Sequence, residues 1–309
     1  MKFRRSKDAS QTDALRSLLF VPLDDPRKLA KVKTLRPDAF ILDLEDSVSP
    51  DRKVAARTAL TEYLGHNLNY ESKIFVRVNS SSTTFFDADL HAAIALTLDG
   101  IVLPKCEDPE QLKRIEHRLT RLEAKTSITR GSIRLLPIVE TARGIIHAYE
   151  IARSSERIVA LLFGPEDYCA DMGIKRTASG NELSMARMQL SQAAHAAQVA
   201  AIDGVFSDFG DTGGLIEDAN RGKQMGYTGK TLIHPDQIQP VHRVFAPSED
   251  ELTWAQEVVQ TFEAANGSGV VVVRGRMVDE PVVRQARRIL SRRDIATRQI
   301  ANADSGAVS

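Results

Sequence analysis

What this chain has little of narrows it first. Its 309 residues include two cysteines, Cys106 and Cys169, with no redox or metal-ligand spacing between them, so they read as packed thiols in a reducing compartment rather than a disulfide framework. Lys plus Arg number 41 and Asp plus Glu also 41. That balance leaves no electrostatic footprint for nucleic acid or an anionic membrane. No apolar run approaches the roughly 20 residues of a membrane span. The start, "MKFRRSKDASQTDALRS", is basic but lacks the apolar stretch of a secretory signal, and Asp8 and Asp13 argue against an organellar transit peptide. A cytoplasmic protein is expected, and without secretion the Asn-x-Ser matches at Asn79 and Asn266 carry no meaning. Familiar catalytic signatures are missing too. There is no His-Glu-x-x-His, Cys-x-x-Cys or Gly-x-Ser-x-Gly. "GYTGKT" has Gln224 where a phosphate loop needs its first glycine, and "GDTGG" reads as a flexible loop.

Short apolar runs, by contrast, are plentiful: "SLLFVP" (17–22), "AFILDLE" (39–45), "KIFVRV" (73–78), "GIVLPK" (100–105), "RLLPIVE" (134–140), "VALLFGPED" (159–167), "AAIDGVF" (200–206) and "KTLIHP" (230–235). Most lack polar alternation, as parallel strands covered on both faces do. Amphipathic segments such as "SPDRKVAARTALTEYL", "DPEQLKRIEHRLTRLEA" and "SGNELSMARMQLSQAAHAAQVA" separate them. Eight strand–helix repeats predict a (β/α)8 TIM barrel, with a doubly wound open sheet as the competing architecture. After about residue 246 the rhythm breaks. "APSEDELTWAQEVVQTFEAA" opens with a capping box, Ser248 with Glu251. "NGSG" marks a turn, "VVVVRGRM" an extended piece, "DEPVVRQARRILSRR" a helix and "ANADSGAVS" a frayed end. The expected division is a barrel over 1–246 and a C-terminal helical lid segment over 247–309.

In such a barrel, functional side chains collect where strands end. Those positions carry Asp43, Glu45 and Asp46 after strand 2, Arg77 and Asn79 after strand 3, and Lys105 after strand 4. Glu140 follows strand 5, Glu166 and Asp167 strand 6, Asp208 strand 7 and His234 strand 8. The result is a polar mouth of mixed sign. Glu140 and Asp167 suit a hard divalent cation, since Mg2+ takes one or two carboxylates plus waters and substrate oxygens. Arg77 suits a carboxylate or an oxyanion. Metal plus arginine fits chemistry in which charge develops on a carbonyl oxygen, such as carbon–carbon cleavage through an enolate. Plainer roles stand beside these. Asp43, Glu45 and Asp46 are equally consistent with a salt-bridge belt to Lys53 and Arg57, Lys105 with a brace for carboxylates, and His234 with a structural histidine.

The motifs "RSLLFVP", "DAFILDLEDSVSPDRKVAAR", "VRVN", "GIVLPK", "IVETARGI", "FGPEDYCADMG", "AAIDGVFSDFGD", "GYTGKTLIHPDQI" and "GRMVDEPVV" occur in the order seen in CitE-like proteins. The chain thus resembles the citrate lyase β subunits, malyl-CoA lyases and citramalyl-CoA lyases of the HpcH/HpaI aldolase superfamily, from about Arg16 to Arg293. The resemblance implies a Mg2+-dependent lyase cleaving a 3-hydroxyacyl-CoA thioester to an acyl-CoA and a 2-oxo acid. It also implies Glu140 and Asp167 as metal ligands, with Glu140 and Asn79 near the substrate. Arg77 would bind substrate and steady the enolate, with Glu45 and Asp46 organising Arg77 and the metal waters. Asp279 would be the acid–base at the acyl carbon, reaching the site from a neighbouring subunit of a homotrimer or hexamer. Its alternatives are a citrate lyase β subunit acting on a citryl thioester of an acyl carrier protein, malate synthase-like condensation, and a non-catalytic CoA or metabolite binder. One departure stands out. Relatives commonly read Val-Pro-Gly-x-Arg-Pro after strand 1, whereas Leu23 and Asp25 occupy the Gly and Arg places here, where a bulky side chain and a negative charge are expected to alter ligand contact.

Overall fold

The computed structural model describes residues 15–65, 72–94, 98–126, 128–265 and 269–305. The basic start, Asn266 and most of the "NGSG" stretch lie outside them. Eight parallel strands close into a barrel in sequence order: β1 (Ser17–Pro22), β2 (Ala39–Asp43), β3 (Lys73–Arg77), β4 (Gly100–Leu103), β5 (Arg134–Val139), β6 (Ala160–Phe163), β7 (Ala200–Asp203) and β8 (Gly229–Leu232). Between and after them run the helices α1 (Pro26–Lys31), α2 (Lys53–Gly65), α3 (Phe86–Ile94), α4 (Pro109–Thr126), α5 (Ala142–Ile146) and α6 (Ala148–Arg153). These are followed by α7 (Pro165–Met172), α8 (Ser184–Ala197), α9 (Thr212–Gln224) and α10 (Ile238–Phe245). The chain is a (β/α)8 barrel. No helix among the described residues is long and apolar enough to cross a membrane.

Strand periodicity places the site. One buried cluster takes every second residue: Ala39 and Ile41 from β2, Leu136 and Ile138 from β5, Ala160 and Leu162 from β6, Ala200 and Ile202 from β7. Successive strand side chains point to opposite faces. The next members of the inward series at the carboxyl ends are therefore Asp43, Glu140 and Gly164, and after Phe75 of β3 comes Arg77. Register sets Asp43 of β2 directly beside Arg77 of β3.

The intervening residues face the helices, and two of them are charged. Asp203 of β7 and Lys230 of β8 are buried with Arg187 of α8 and Asp218 of α9. Lys230 Nζ lies 2.9 Å from Asp203 Oδ2 and 2.6 Å from Asp218 Oδ2, while Arg187 pairs with both carboxylates. Two cations meet two anions, so desolvation is offset by mutual attraction and the last two βα units are pinned in one arrangement. A similar lock joins Arg157 to Glu123 of α4, at 2.6 Å through each nitrogen.

A third buried cluster makes stability pH-dependent. His242 Nε2 lies 2.7 Å from Ser17 Oγ and 3.4 Å from Asp38 Oδ1, while Arg16 forks onto Asp38 at 2.7 and 2.9 Å. Burial depresses the ring to about 4, Asp38 opposes the shift and Arg16 reinforces it. Because the folded value lies below the ordinary 6.5, this group's contribution is complete above pH 6.5. It is lost as pH falls toward 4, by up to about 3 kcal/mol. Urea midpoints of wild type should drop more steeply between pH 6.5 and 4 than those of His242→Gln. Equal slopes would assign the acid sensitivity elsewhere.

The chain divides into two compact units, Met1–His242 and Arg243–Ser309. The second contains α11 (Glu249–Ala264), β9 (Val271–Val273), β10 (Arg276–Val278) and α12 (Glu280–Ser305). Ser248 and Glu251 form the expected capping box at 3.1 and 2.8 Å. The extended piece is an antiparallel hairpin whose tip, Arg274 and Gly275, takes positive φ. Ala255, Val258, Val273, Val278, Val283 and Ala286 make this unit its own small core. Its last assigned helical turns reach Ser305, where the sequence suggests fraying.

Candidate active site

At the carboxyl ends of the strands opens a cavity of about 930 Å3. Phe20, Asp43, Asp46, Arg77, Glu140 and Asp167 are among its lining residues, with His234 and Phe209 on the wall contributed by the last two βα loops. Arg77 is its centre of charge. Its Nε and Nη2 each donate to one oxygen of Asp43 at 2.7 Å, in the bidentate geometry that fixes a guanidinium plane. Nη1 lies 3.0 Å from Glu45 Oε2 and 3.4 Å from Asp46 Oδ2, and the guanidinium carbon rests 4.7 Å from the centre of the Phe20 ring. Burial alone would weaken the Arg77 charge, but Asp43, Glu45 and Asp46 raise its pKa further above the ordinary value. Asp43 is buried yet held below its usual range by Arg77 and by the Glu45 and Ser47 N–H groups.

This arrangement replaces the salt-bridge belt. Lys53 Nζ instead donates to the carbonyls of Leu44 and Glu45, at 2.7 Å each, and Arg57 pairs with Asp89 at 2.9 Å. The Asp43 and Glu45 carboxylates thus turn inward to Arg77, while their loop is clamped from behind.

Glu140 and Asp167 come together as anticipated, but Asp167 lies in the first turn of α7 rather than in a loop, because Pro165 starts that helix directly after Gly164. Glu140 Oε1 accepts the backbone N–H of Lys105 at 2.6 Å. A Cβ on Gly164 would come within 2.5 Å of Glu140 Cβ and Oε2, so only glycine leaves this carboxylate its place. Burial and then the charge of Asp167 push Glu140 up to about 8. Burial, opposed by Arg77, holds Glu45 at about 7, and its buried Oε2 has the Arg77 Nη1 at 3.0 Å as its ion-pair partner. Lys105 Nζ sits 3.7 Å from Glu45 Oε1 and 3.8 Å from Asp167 Oδ1.

Five carboxylates, Asp43, Glu45, Asp46, Glu140 and Asp167, gathered around the two cations Arg77 and Lys105 describe a site short of positive charge. The oxygen-only donors fit a hard ion such as Mg2+. Among the described residues no group of three or more Asp, Glu, His or Cys side chains is assembled for a metal. Two carboxylates completed by water and substrate oxygens suit Mg2+ better than an all-protein cage.

Other candidates land elsewhere. Asn79 is buried, its amide donating to Leu44 O at 2.9 Å and Asp89 Oδ2 at 2.6 Å, so it braces the loops behind Arg77 and does not line the cavity. Asp208 accepts from Gly210 N at 3.2 Å and also stays off the cavity wall. "GDTGG" is no loose loop: Asp211 caps α9 by accepting from Gly214 N at 2.9 Å. His234 joins both readings offered for it, capping a helical turn through Nδ1 while its ring stacks 5.0 Å from Phe209 on the cavity wall. Leu23 is buried in the interior, and Asp25 caps α1 through Arg27 N at 3.0 Å. The leucine therefore adds packing rather than an obstruction, and the aspartate lines a surface pocket with Arg27 and Arg52 that adjoins the cavity and shares Pro22, Lys28 and Ser47 with it. Asp279 belongs to the C-terminal unit, where Oδ1 accepts from Val282 N at 3.4 Å before α12. Two residues the strand-end pattern passes over, Lys28 and Lys31 of α1, line the cavity. Their spacing of three on the first βα segment is the signal that points to them.

A family model described as HpcH/HpaI aldolase/citrate lyase matches residues 16–235. The chain is 37% identical over 288 residues to citrate lyase subunit beta of Escherichia coli K12, covering 93% of this chain and 95% of that protein. It is 31% identical over 289 residues to the mitochondrial citramalyl-CoA lyase of Rattus norvegicus, covering 89% and 85%. Among solved structures, CitE of Mycobacterium tuberculosis in complex with magnesium, acetoacetate and coenzyme A superposes with a TM-score of 0.75. That match has 33% identity and covers 90% of this chain and 98% of that one.

Proposed function

The chain belongs to the HpcH/HpaI aldolase/citrate lyase family, and from that premise we propose that it is a Mg2+-dependent lyase. It cleaves a 3-hydroxyacyl-CoA thioester of the malyl-CoA or citramalyl-CoA type to an acyl-CoA and a 2-oxo acid. The observation that carries this reading is the meeting of Arg77 from β3, Glu140 from just past β5 and Asp167 from α7 on one cavity. Glu140 and Asp167 would hold the ion. When bound, Mg2+ supplies Lewis-acid polarisation of the oxygens on the part released as the 2-oxo acid.

The remaining steps belong to the chain's own groups. Cleavage passes the hydroxyl proton to solvent, breaks the bond between the carbinol carbon and the thioester α-carbon, and leaves that electron pair as an enolate. Arg77, locked in plane by Asp43, offers its remaining N–H bonds to the enolate oxygen without reorganising. Asp279, brought by the C-terminal unit of a neighbouring subunit in a homotrimer or hexamer, returns a proton to the α-carbon. Glu45 and Asp46 keep Arg77 aimed, and the lysines at 28 and 31 suit the anionic end of CoA. The lid role of the C-terminal unit and a cytoplasmic setting, in keeping with two buried free thiols, complete the reading.

Purified protein with Mg2+ should release glyoxylate from malyl-CoA or pyruvate from citramalyl-CoA, followed as the phenylhydrazone. EDTA should abolish the signal and added Mg2+ restore it. Full turnover in EDTA would overturn the metal role, and no oxo acid from any thioester would overturn the lyase. The higher identity to citrate lyase subunit beta favours a second reading, action on a citryl thioester of an acyl carrier protein. Oxaloacetate released from that substrate alone would select it.

A further inference from the structure

Lys105 has a conformation that its side chain alone does not explain. Its φ is 52°, in the left-handed region that a residue with a Cβ occupies at a cost. The turn is held from outside, with Gln111 Nε2 donating to the Lys105 carbonyl at 3.2 Å and to Ser81 Oγ at 3.0 Å. That backbone does two things at once. It turns the Lys105 N–H onto Glu140 Oε1 at 2.6 Å. It also sends the ammonium toward Glu45 Oε1 at 3.7 Å and Asp167 Oδ1 at 3.8 Å. Of the cations near these carboxylates, Arg77 is committed to Asp43 by two 2.7 Å bonds. The ammonium, by contrast, sits at ion-pair rather than hydrogen-bond distance and is 43% exposed, so it is free to swing away.

We infer that the Lys105 ammonium is the internal counter-cation of the magnesium site: it spans Glu45 and Asp167 while no metal is present and yields when the ion arrives. The two halves of Lys105 therefore act in opposite directions. Its backbone N–H shapes Glu140 for the ion, whereas its side chain competes with the ion for Asp167. Magnesium affinity is set lower than the carboxylates alone would give, and the displaced ammonium is released toward the cavity as metal and substrate bind together. The inference rests on the assignment of Glu140 and Asp167 as the metal ligands.

The sign of one measurement separates this role from that of a brace. A brace that holds carboxylates in place weakens metal binding when removed; a competing cation strengthens it. Lys105→Met keeps an unbranched side chain on the same backbone and removes the charge, Lys105→Gln repeats this with a polar end, and Lys105→Arg keeps the charge. Mg2+ affinity of the full-length protein, without substrate, is read by isothermal titration calorimetry and by competition with Mn2+ in electron paramagnetic resonance. A tightening of about tenfold is expected for Met and for Gln, the size of a unit charge acting on a divalent ion from several ångströms away near solvent. Arg should stay close to wild type. Unchanged or weaker binding in both neutral variants overturns the inference, as does equal tightening in Lys105→Arg. If wild type binds no Mg2+ while the variants are equally silent, the metal assignment itself fails and the inference with it.

Discussion

Arg77→Lys is expected to lower kcat by about a hundred- to a thousandfold while the protein stays folded. The estimate follows from losing one preorganised donor at a developing oxyanion. Lysine keeps the charge but not the plane. The fork that meets both Asp43 oxygens at 2.7 Å cannot be reproduced by an ammonium, so the donor left for substrate is no longer aimed. Arg77→Met should behave differently. It leaves Asp43, 1% exposed, without its cation in the interior, a change that costs about 3–5 kcal/mol when one partner of a buried pair is removed. Steady-state kinetics on Lys and urea midpoints on Met read the two losses separately. Comparable kcat in Arg77→Lys would show that the guanidinium geometry is not used in the reaction.

Glu140→Gln should abolish detectable Mg2+ binding, reduce turnover by at least about a thousandfold, and yet make the metal-free protein more stable. The carboxylate is buried beside Asp167 and sits at about 8, far above its ordinary value. A group raised on folding contributes its full stability below the unfolded pKa and loses it as pH climbs through the folded one. In EDTA the variant's advantage should therefore be small near pH 4.5 and grow through pH 8 to a few kcal/mol. Glutamine can still accept the Lys105 N–H, so that bond is not the source of the difference. Adding Mg2+ should raise the melting temperature of wild type and leave the variant where it was. A variant that is destabilised at pH 8 would mean that Glu140 is ionised and well paired in the metal-free fold.

Both predictions concern residues visible from strand ends alone, and the reason is geometric. A parallel barrel strand is apolar for as long as it is covered, so the first charged residue after the run lies at the open mouth. Asp43, Arg77 and Glu140 stand out on that ground, and Asp167 follows three residues after Gly164, the residue just past β6. The same logic overreached at Asn79 and Asp208. A strand end says where the backbone emerges but not which way a side chain in the following loop turns: the Asn79 amide is spent on the Leu44 carbonyl and on Asp89 of α3, and Asp208 is exposed, accepting from Gly210 N. Leu23 misled for the same reason: its place beside the motif suggested a ligand contact, while the chain turns it into the core.

The order and spacing of apolar runs determined the alternation of strands and helices and favoured a barrel over an open sheet, and the charged residues at the strand ends marked the mouth and its oxygen donors, because strand period and burial act within a few residues. Tertiary structure alone decided the pairings. It chose Arg77 rather than Lys53 as the partner of Asp43, gave Gly164 the task of leaving room for Glu140, and placed the Lys105 ammonium between two carboxylates from different loops. Such choices depend on distances between segments far apart in the chain, where electrostatic energy falls with separation and desolvation depends on what covers the pair.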